Sequence, residues 1–344
     1  MLRVPREWSE LTPAWVTEAL APRFPGAVVS SVAVGAVAHG TNSRARLTLE
    51  YAAGAGPATV FVKREGSMLN RLALTALGAR EAEADLAAAG ARLPLEHPEL
   101  YAAAVDRRRL AAIVLMEDVT ARGATPHDAT RPLTVDQVRD GLAGLARLHA
   151  AYWQRPQTLG FVRPWRLGAV WAPVSWGSLL NARRRLRALG RPELVPDDAV
   201  TIERGFRQWA RTAATGPQTL LHGDPHPGNT YGLPDGTTGF YDWQLVRSGS
   251  WVHDVGYLVA SSLAVADRRA HERDLLAGYL DDLGAVAPDA ATARDLYRRT
   301  PVFGLASWLH TLSGGGFQPV DLCLATLERF AAAYADHRPA SSRG

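Results

Sequence analysis

Leu221-His222-Gly223-Asp224-Pro225-His226-Pro227-Gly228-Asn229, with Phe240-Tyr241-Asp242-Trp243 shortly after it, is the part of this chain whose reading settles the fold. Its two prolines and two glycines stiffen the first stretch into a loop, because proline fixes φ and glycine supplies turns that other residues resist. Between the two stretches, Thr230-Tyr231-Gly232 and Thr237-Thr238-Gly239 flank the turn Leu233-Pro234-Asp235-Gly236, which predicts a short hairpin. The hairpin returns the chain so that Asp242 lies beside Asn229. Asp224, Asn229 and Asp242 then offer oxygen atoms to one neighbourhood, and hard cations such as Mg²⁺ take oxygen ligands.

Blander readings of the same loop exist. A turn aspartate often bonds only to its own backbone, and the alternation of His222, Asp224 and His226 also suits zinc or iron. The downstream Asn229 and Asp242 fit magnesium better. Phosphoryl transfer needs an acidic residue to orient an attacking hydroxyl and accept its proton, and oxygen ligands to hold Mg²⁺ against nucleotide phosphates. Asp224 suits the first role; Asn229 and Asp242 suit the second.

Upstream, Thr12-Pro13-Ala14-Trp15 has a cap residue followed by proline at the first helical position, predicting a short helix to about Ala21. Val28 to Ala38, Arg44 to Tyr51 and Thr59 to Lys63 read as three antiparallel strands, rich in valine, leucine and threonine and broken by glycine-rich turns. A helix is expected from about Leu69 to Ala89, then strands at Tyr101 to Val105 and Ala111 to Met116. Beyond Glu117 the pattern turns helical. Thr134 and Gln137 form a capping box for a helix whose Val135, Val138, Leu142, Leu145, His149 and Tyr152 share one face. Further helices are expected near Leu179 to Leu189, Val200 to Thr212, Val252 to Ala264, Arg268 to Leu283, Ala290 to Leu312 and Leu322 to His337.

The string HGDPHPGN, followed a hairpin later by the aspartate of FYDW, resembles the aminoglycoside phosphotransferase and choline kinase family of kinase-like enzymes. The likeness extends from about Val34 to Ala335. The strings TNSRARLTLEY, VFVKREG, REAEADL and VLMEDVT look most like its branch of ecdysteroid-kinase-like and uncharacterised bacterial phosphotransferases. The resemblance implies an α+β bilobal protein-kinase-like fold. A five-stranded antiparallel sheet and its helix would form a nucleotide-binding lobe over residues 1–117. A mostly helical lobe over 118–344 would hold the catalytic loop (219–244) and acceptor-binding helices (about 151–216). It further implies ATP and Mg²⁺, with transfer of the γ-phosphate to a hydroxyl of a small molecule.

Individual residues follow from that likeness. Lys63 ends the third strand, where the family places the lysine that binds the α- and β-phosphates. It is the only lysine among 38 Lys and Arg residues, and a compact ammonium is not interchangeable with arginine at phosphate oxygens. An anionic partner for it is available in Glu81 or Glu83; helical phase favours Glu81, which shares a face with Leu74 and Leu77. Gly40-Thr41-Asn42-Ser43 forms a turn whose amides and hydroxyls suit phosphate oxygens, although it departs from the protein-kinase glycine pattern. Met116, Glu117 and Asp118 fall where the family hydrogen-bonds adenine through backbone groups, and Asp254 resembles the aspartate that braces the catalytic loop.

Composition narrows the field. No apolar run approaches the roughly 20 residues that span a bilayer, Met1 to Glu10 holds no secretory core, and one cysteine, Cys323, permits no internal disulfide. A cytoplasmic monomer or homodimer without a membrane partner is the expectation. The segment from Ala151 to Gly216 carries eleven arginines against Glu193, Asp197, Asp198 and Glu203. A pocket for polycationic aminoglycosides needs carboxylates instead, so a neutral, apolar or anionic acceptor is expected. Arg183, Arg184, Arg185 and Arg187 equally fit a solvated helix face. Trp153, Trp165, Trp171 and Trp176 are either core or acceptor contacts. No recognisable nucleic-acid module is present. A nucleotide-binding pseudokinase is the rival class, and an aminoglycoside kinase the rival within the class.

Overall fold

The computed structural model describes residues 2–39, 42–65, 81–165, 171–315 and 318–338. Five strands form one antiparallel sheet in the order β1 (Val28–Val34), β3 (Asn42–Ala53), β4 (Thr59–Glu65), β6 (Ala111–Glu117) and β5 (Leu100–Asp106), and the short β2 (Ala38–His39) pairs with β3. The expected first strand stops at Val34, where Gly35 N turns to donate to Arg46 O at 2.8 Å.

Alternation along the strands gives the sheet two buried faces. Leu47, Val60, Val62, Ile113 and Leu115 pack on one side against Val16 and Leu20 of the helix Pro13–Leu20. That helix starts as its sequence dictates, with Thr12 Oγ1 accepting from Trp15 N at 3.3 Å. Residues one step out of phase, Lys63 and its cross-strand partner Val114, with Met116 beyond, face the opposite side. There they meet the helix Ala82–Ala88 and the helical remainder of the chain. Of the helix expected over Leu69 to Ala89, residues 69–80 lie outside the described residues.

The helical part is built round Val252–Ser262, which is buried at every position, its polar His253 and Asp254 satisfied by hydrogen bonds to the neighbouring loop. Val135–Ala151 packs beside it, with Thr134 and Gln137 exchanging both capping bonds and Val138, Leu142, Leu145 and His149 buried. Ala290 to Leu312, expected as one helix, is two: Ala290–Arg298 and Pro301–Gly314. Pro301 has no N–H to continue the ladder, and it stands at the first position of the second helix, where that donor is not needed. Trp171–Ala188 and Ala199–Ala213 complete a second core with Pro301–Gly314 and Val320–His337. No helix among the described residues is long and apolar enough to cross a membrane.

Candidate active site

The loop His222 to Asn229 joins the strand Thr219–Leu221 to the hairpin Thr230–Gly232 and Thr238–Phe240. Its entry is fixed by Asp254, whose carboxylate accepts from His222 N at 2.7 Å, Gly223 N at 3.0 Å and His149 Nε2 at 3.3 Å. Burial alone raises the pKa of such a group, but the hydrogen bond from His149 and the imidazoles of His149, His253 and His222 hold it below the usual carboxylate range. Gly223 has φ of +88°, and a Cβ there would stand 2.3 Å from Leu245 O, so only glycine fits. His253 Nε2 and Gly223 O lie 3.1 Å apart, and His222 Nε2 and Tyr241 O 3.0 Å apart.

Within this frame Asn229 Nδ2 donates to Asp224 O at 2.9 Å and to Asp224 Oδ2 at 3.2 Å. The hairpin brings Asp242 alongside, through Tyr241 N donating to Asn229 O at 3.1 Å. Asp242 adopts left-handed backbone, φ +66°, a strained conformation for a residue other than glycine. Asp224 is partly exposed; burial pushes its pKa up to about 7, against the hydrogen bond it receives from Tyr257. Trp308 Nε1 in turn donates to Tyr257 Oη at 2.9 Å.

Lys63 reaches this cluster from the sheet. Its Nζ lies 2.5 Å from Asp242 Oδ1 and 2.7 Å from Glu83 Oε2. Glu83 is therefore the lysine's partner rather than Glu81, which instead pairs with Arg107 Nε at 2.9 Å. The phase argument fails because it counts a continuous helix from Leu74, whereas Glu81 is the cap residue of Ala82–Ala88 and Glu83 is its buried first-turn acid. Glu83 is further fixed by Trp243 N, which donates to Oε1 at 3.0 Å.

Asn229 and Asp242 are suited to Mg²⁺. The Asn229 amide nitrogen is turned to Asp224, and its oxygen accepts no hydrogen bond among the described residues. Those residues also contain no cluster of three or more His, Cys, Asp or Glu able to cage a metal. Mg²⁺ takes few protein ligands and completes its shell with phosphate oxygens and water. His226 accepts from Gly228 N at 3.1 Å, and burial pulls its pKa down to about 4.

Of the turn expected to cover phosphates, Gly40 and Thr41 lie outside the described residues, while Asn42 Nδ2 donates to Gln244 Oε1 at 2.7 Å, tying the turn to the segment after Asp242. Ser43 pairs with Arg64 across β3 and β4. Met116 is buried on the Lys63 face. The Glu117 side chain is held by Arg122 Nε at 2.6 Å, and that of Asp118 by Arg46 Nε at 2.7 Å. In the arginine-rich segment, Arg183 donates to Asp197 O at 2.9 Å and Arg207 pairs with Glu203 at 2.9 Å, so these two serve internal contacts. Trp165 is buried, whereas Trp176 is half exposed. Sequence reasoning missed Tyr257, Trp308 and Arg247; no local pattern marks them, since each depends on which helix or strand packs against the loop.

Residues 48–294 match the model of a family described as "Phosphotransferase enzyme family". Among solved structures, an inferred aminoglycoside phosphotransferase from Ralstonia eutropha JMP134 is 15% identical, with 97% of this chain and 99% of that chain covered and a TM-score of 0.56. A choline kinase from Streptococcus pneumoniae is 14% identical, covering 93% and 98%, with a TM-score of 0.50. A spectinomycin phosphotransferase in complex with ADP and spectinomycin is 11% identical, covering 93% and 99%, with a TM-score of 0.51. These likenesses establish the kinase-like α+β fold. No curated protein sequence matches the chain.

Proposed function

The chain belongs to the phosphotransferase enzyme family, and from that premise we propose that it transfers the γ-phosphate of ATP to a hydroxyl group of a small, neutral, apolar or anionic molecule. The observation that supports this most is the meeting of Lys63 with Asp242 beside the Asp224 and Asn229 pair. Residues 1–117 serve as the nucleotide lobe and 118–344 as the lobe that carries the acceptor.

In this reading Asp224 orients the acceptor hydroxyl and takes its proton as the new O–P bond forms. A carboxylate with a pKa of about 7 is a competent base near neutral pH. Lys63, held by Glu83, steadies the nucleotide phosphates. Asn229 and Asp242 would hold Mg²⁺, which when bound neutralises phosphate charge. Asp254 and His253 fix the loop so that these groups need not reorganise during transfer.

The test is acceptor-dependent release of ADP. Sugars, amino alcohols, steroid-like and macrocyclic alcohols and aminoglycosides are incubated with ATP and Mg²⁺, and products are read by mass spectrometry. A phosphorylated acceptor made by the wild type and not by Asp224→Asn supports the assignment. Tight nucleotide binding without any acceptor-dependent ADP points instead to a pseudokinase.

A further inference from the structure

Arg247 is a cation without a task in the reading above. It opens the strand Arg247–Gly249, which pairs with Thr219–Leu221 just before the catalytic loop. The other edge of that strand takes the start of the segment leading to the acceptor helices: Trp165 N donates to Ser248 O at 3.0 Å, and Ser248 N to Arg163 O at 2.9 Å. The guanidinium carbon lies 4.5 Å from the centre of the buried Trp165 ring. Its Nε donates to Leu245 O at 2.9 Å, while its two terminal nitrogens make no hydrogen bond or ion pair among the described residues.

The charge nevertheless has a clear position. Asp224 and Asp254 are the carboxylates that act on Arg247. Arg247 lies opposite Leu221 in the strand pair, and the Leu245 O that its Nε meets stands directly against Gly223, the residue before Asp224. Arg247 therefore stands on the Asp224 side of the site, where a hydroxyl would lose its proton. A guanidinium half removed from water whose terminal nitrogens hydrogen-bond no carboxylate among the described residues is poorly compensated; burial pulls its pKa down to about 10, against the pull of the nearby Asp224 and Asp254, which leaves it charged at neutral pH. An incoming carboxylate or phosphate relieves that cost, and the planar fork of arginine matches either group in two parallel hydrogen bonds. The Trp165 ring supports the fork from one face and limits its rotamers.

We propose that Arg247 determines acceptor specificity by binding an anionic group, a carboxylate or a phosphate, carried by the molecule whose hydroxyl Asp224 addresses. This rests on the phosphotransfer reading and deepens it by naming the substrate class.

Matched pairs of alcohols test it: hydroxycarboxylates beside their methyl esters, and sugar phosphates beside the free sugars, each with ATP and Mg²⁺. The expected result is that the anion of a productive pair is phosphorylated in preference to its neutral partner. Arg247→Met then raises the KM for that anion by about 10-fold or more, and Arg247→Lys recovers part of the loss, with thermal melts confirming that both variants fold. Equal turnover of the neutral partner, or an unchanged KM for the anion in Arg247→Met, overturns the inference while leaving phosphotransfer intact. A rise in KM for ATP alone also overturns it, by assigning the residue to the nucleotide. If the protein binds ATP but phosphorylates no member of any pair or of the wider acceptor screen, the phosphotransfer reading itself fails and carries this inference with it.

Discussion

Lys63 Nζ lies 2.5 Å from Asp242 Oδ1 across 179 positions of sequence. The ammonium is buried, and burial alone pulls its pKa down, yet the carboxylates of Asp242 and Glu83 outweigh that and leave it raised. The three groups form one largely buried ion network in which the single ammonium offsets two carboxylates that repel each other. Removing one partner from such a network leaves an unpaired charge out of water.

Lys63→Met accordingly loses stability as well as activity. The cost is about 3–5 kcal/mol from the two carboxylates left behind, measured by urea denaturation of the nucleotide-free protein. Lys63→Met combined with Glu83→Gln should lose less than the sum of the single changes; strict additivity would mean that the two side chains are not coupled in solution.

Glu81 and Glu83 separate cleanly by mutation. Glu83→Gln should weaken turnover strongly, because it removes the negative charge that holds Lys63 while leaving an oxygen that can still accept from Trp243 N. Glu81→Gln breaks a pair with Arg107, whose side chain is 67% exposed, and such pairs contribute about 0–1 kcal/mol. Comparable losses of kcat in the two variants would contradict the arrangement.

Asp224→Asn is expected to lower turnover by about 10²–10⁴-fold while nucleotide affinity holds. Because the Asp224 pKa is raised to about 7, wild-type activity should climb with pH through an acidic limb near that value. The sign for stability is the reverse. A carboxyl whose folded pKa exceeds its unfolded value favours folding fully below about pH 4, and that contribution is lost as pH rises towards 7. Asp224→Asn should therefore gain stability relative to wild type between pH 4 and 7 in nucleotide-free urea titrations; a constant difference would refute the raised pKa.

Asp254→Ala strips the acceptor from two buried amides, His222 N and Gly223 N, and from His149 Nε2. A loss of about 2–5 kcal/mol is expected. The diagnostic sign is faster amide hydrogen exchange at residues 222 and 223 under native conditions. Unchanged protection there would mean that the aspartate does not hold the loop.

Much of the site was legible because its chemistry is written in short range. The loop from His222 to Asn229 and the hairpin that returns Asp242 are local, and local turns follow from glycine and proline positions. The solitary lysine was conspicuous for a compositional reason. Glu83 was missed for a geometric one: counting helical phase from Leu74 presumes a regular helix up to Glu81, and Glu81 sits at the cap. The helix break before Pro301 was written in the sequence and overlooked, since apolar periodicity on both sides hid it.

By itself the sequence determined the strands, most of the helices, and the loop from His222 to Asn229 with the hairpin that follows it, since each depends on neighbours only a few residues away. Only the tertiary structure decided which glutamate meets Lys63, that Tyr257 and Trp308 stand behind Asp224, and that Arg247 rests on Trp165 beside it. Those relations depend on how separate elements pack, and packing is set by the shape of the whole core rather than by the order of residues along any one segment.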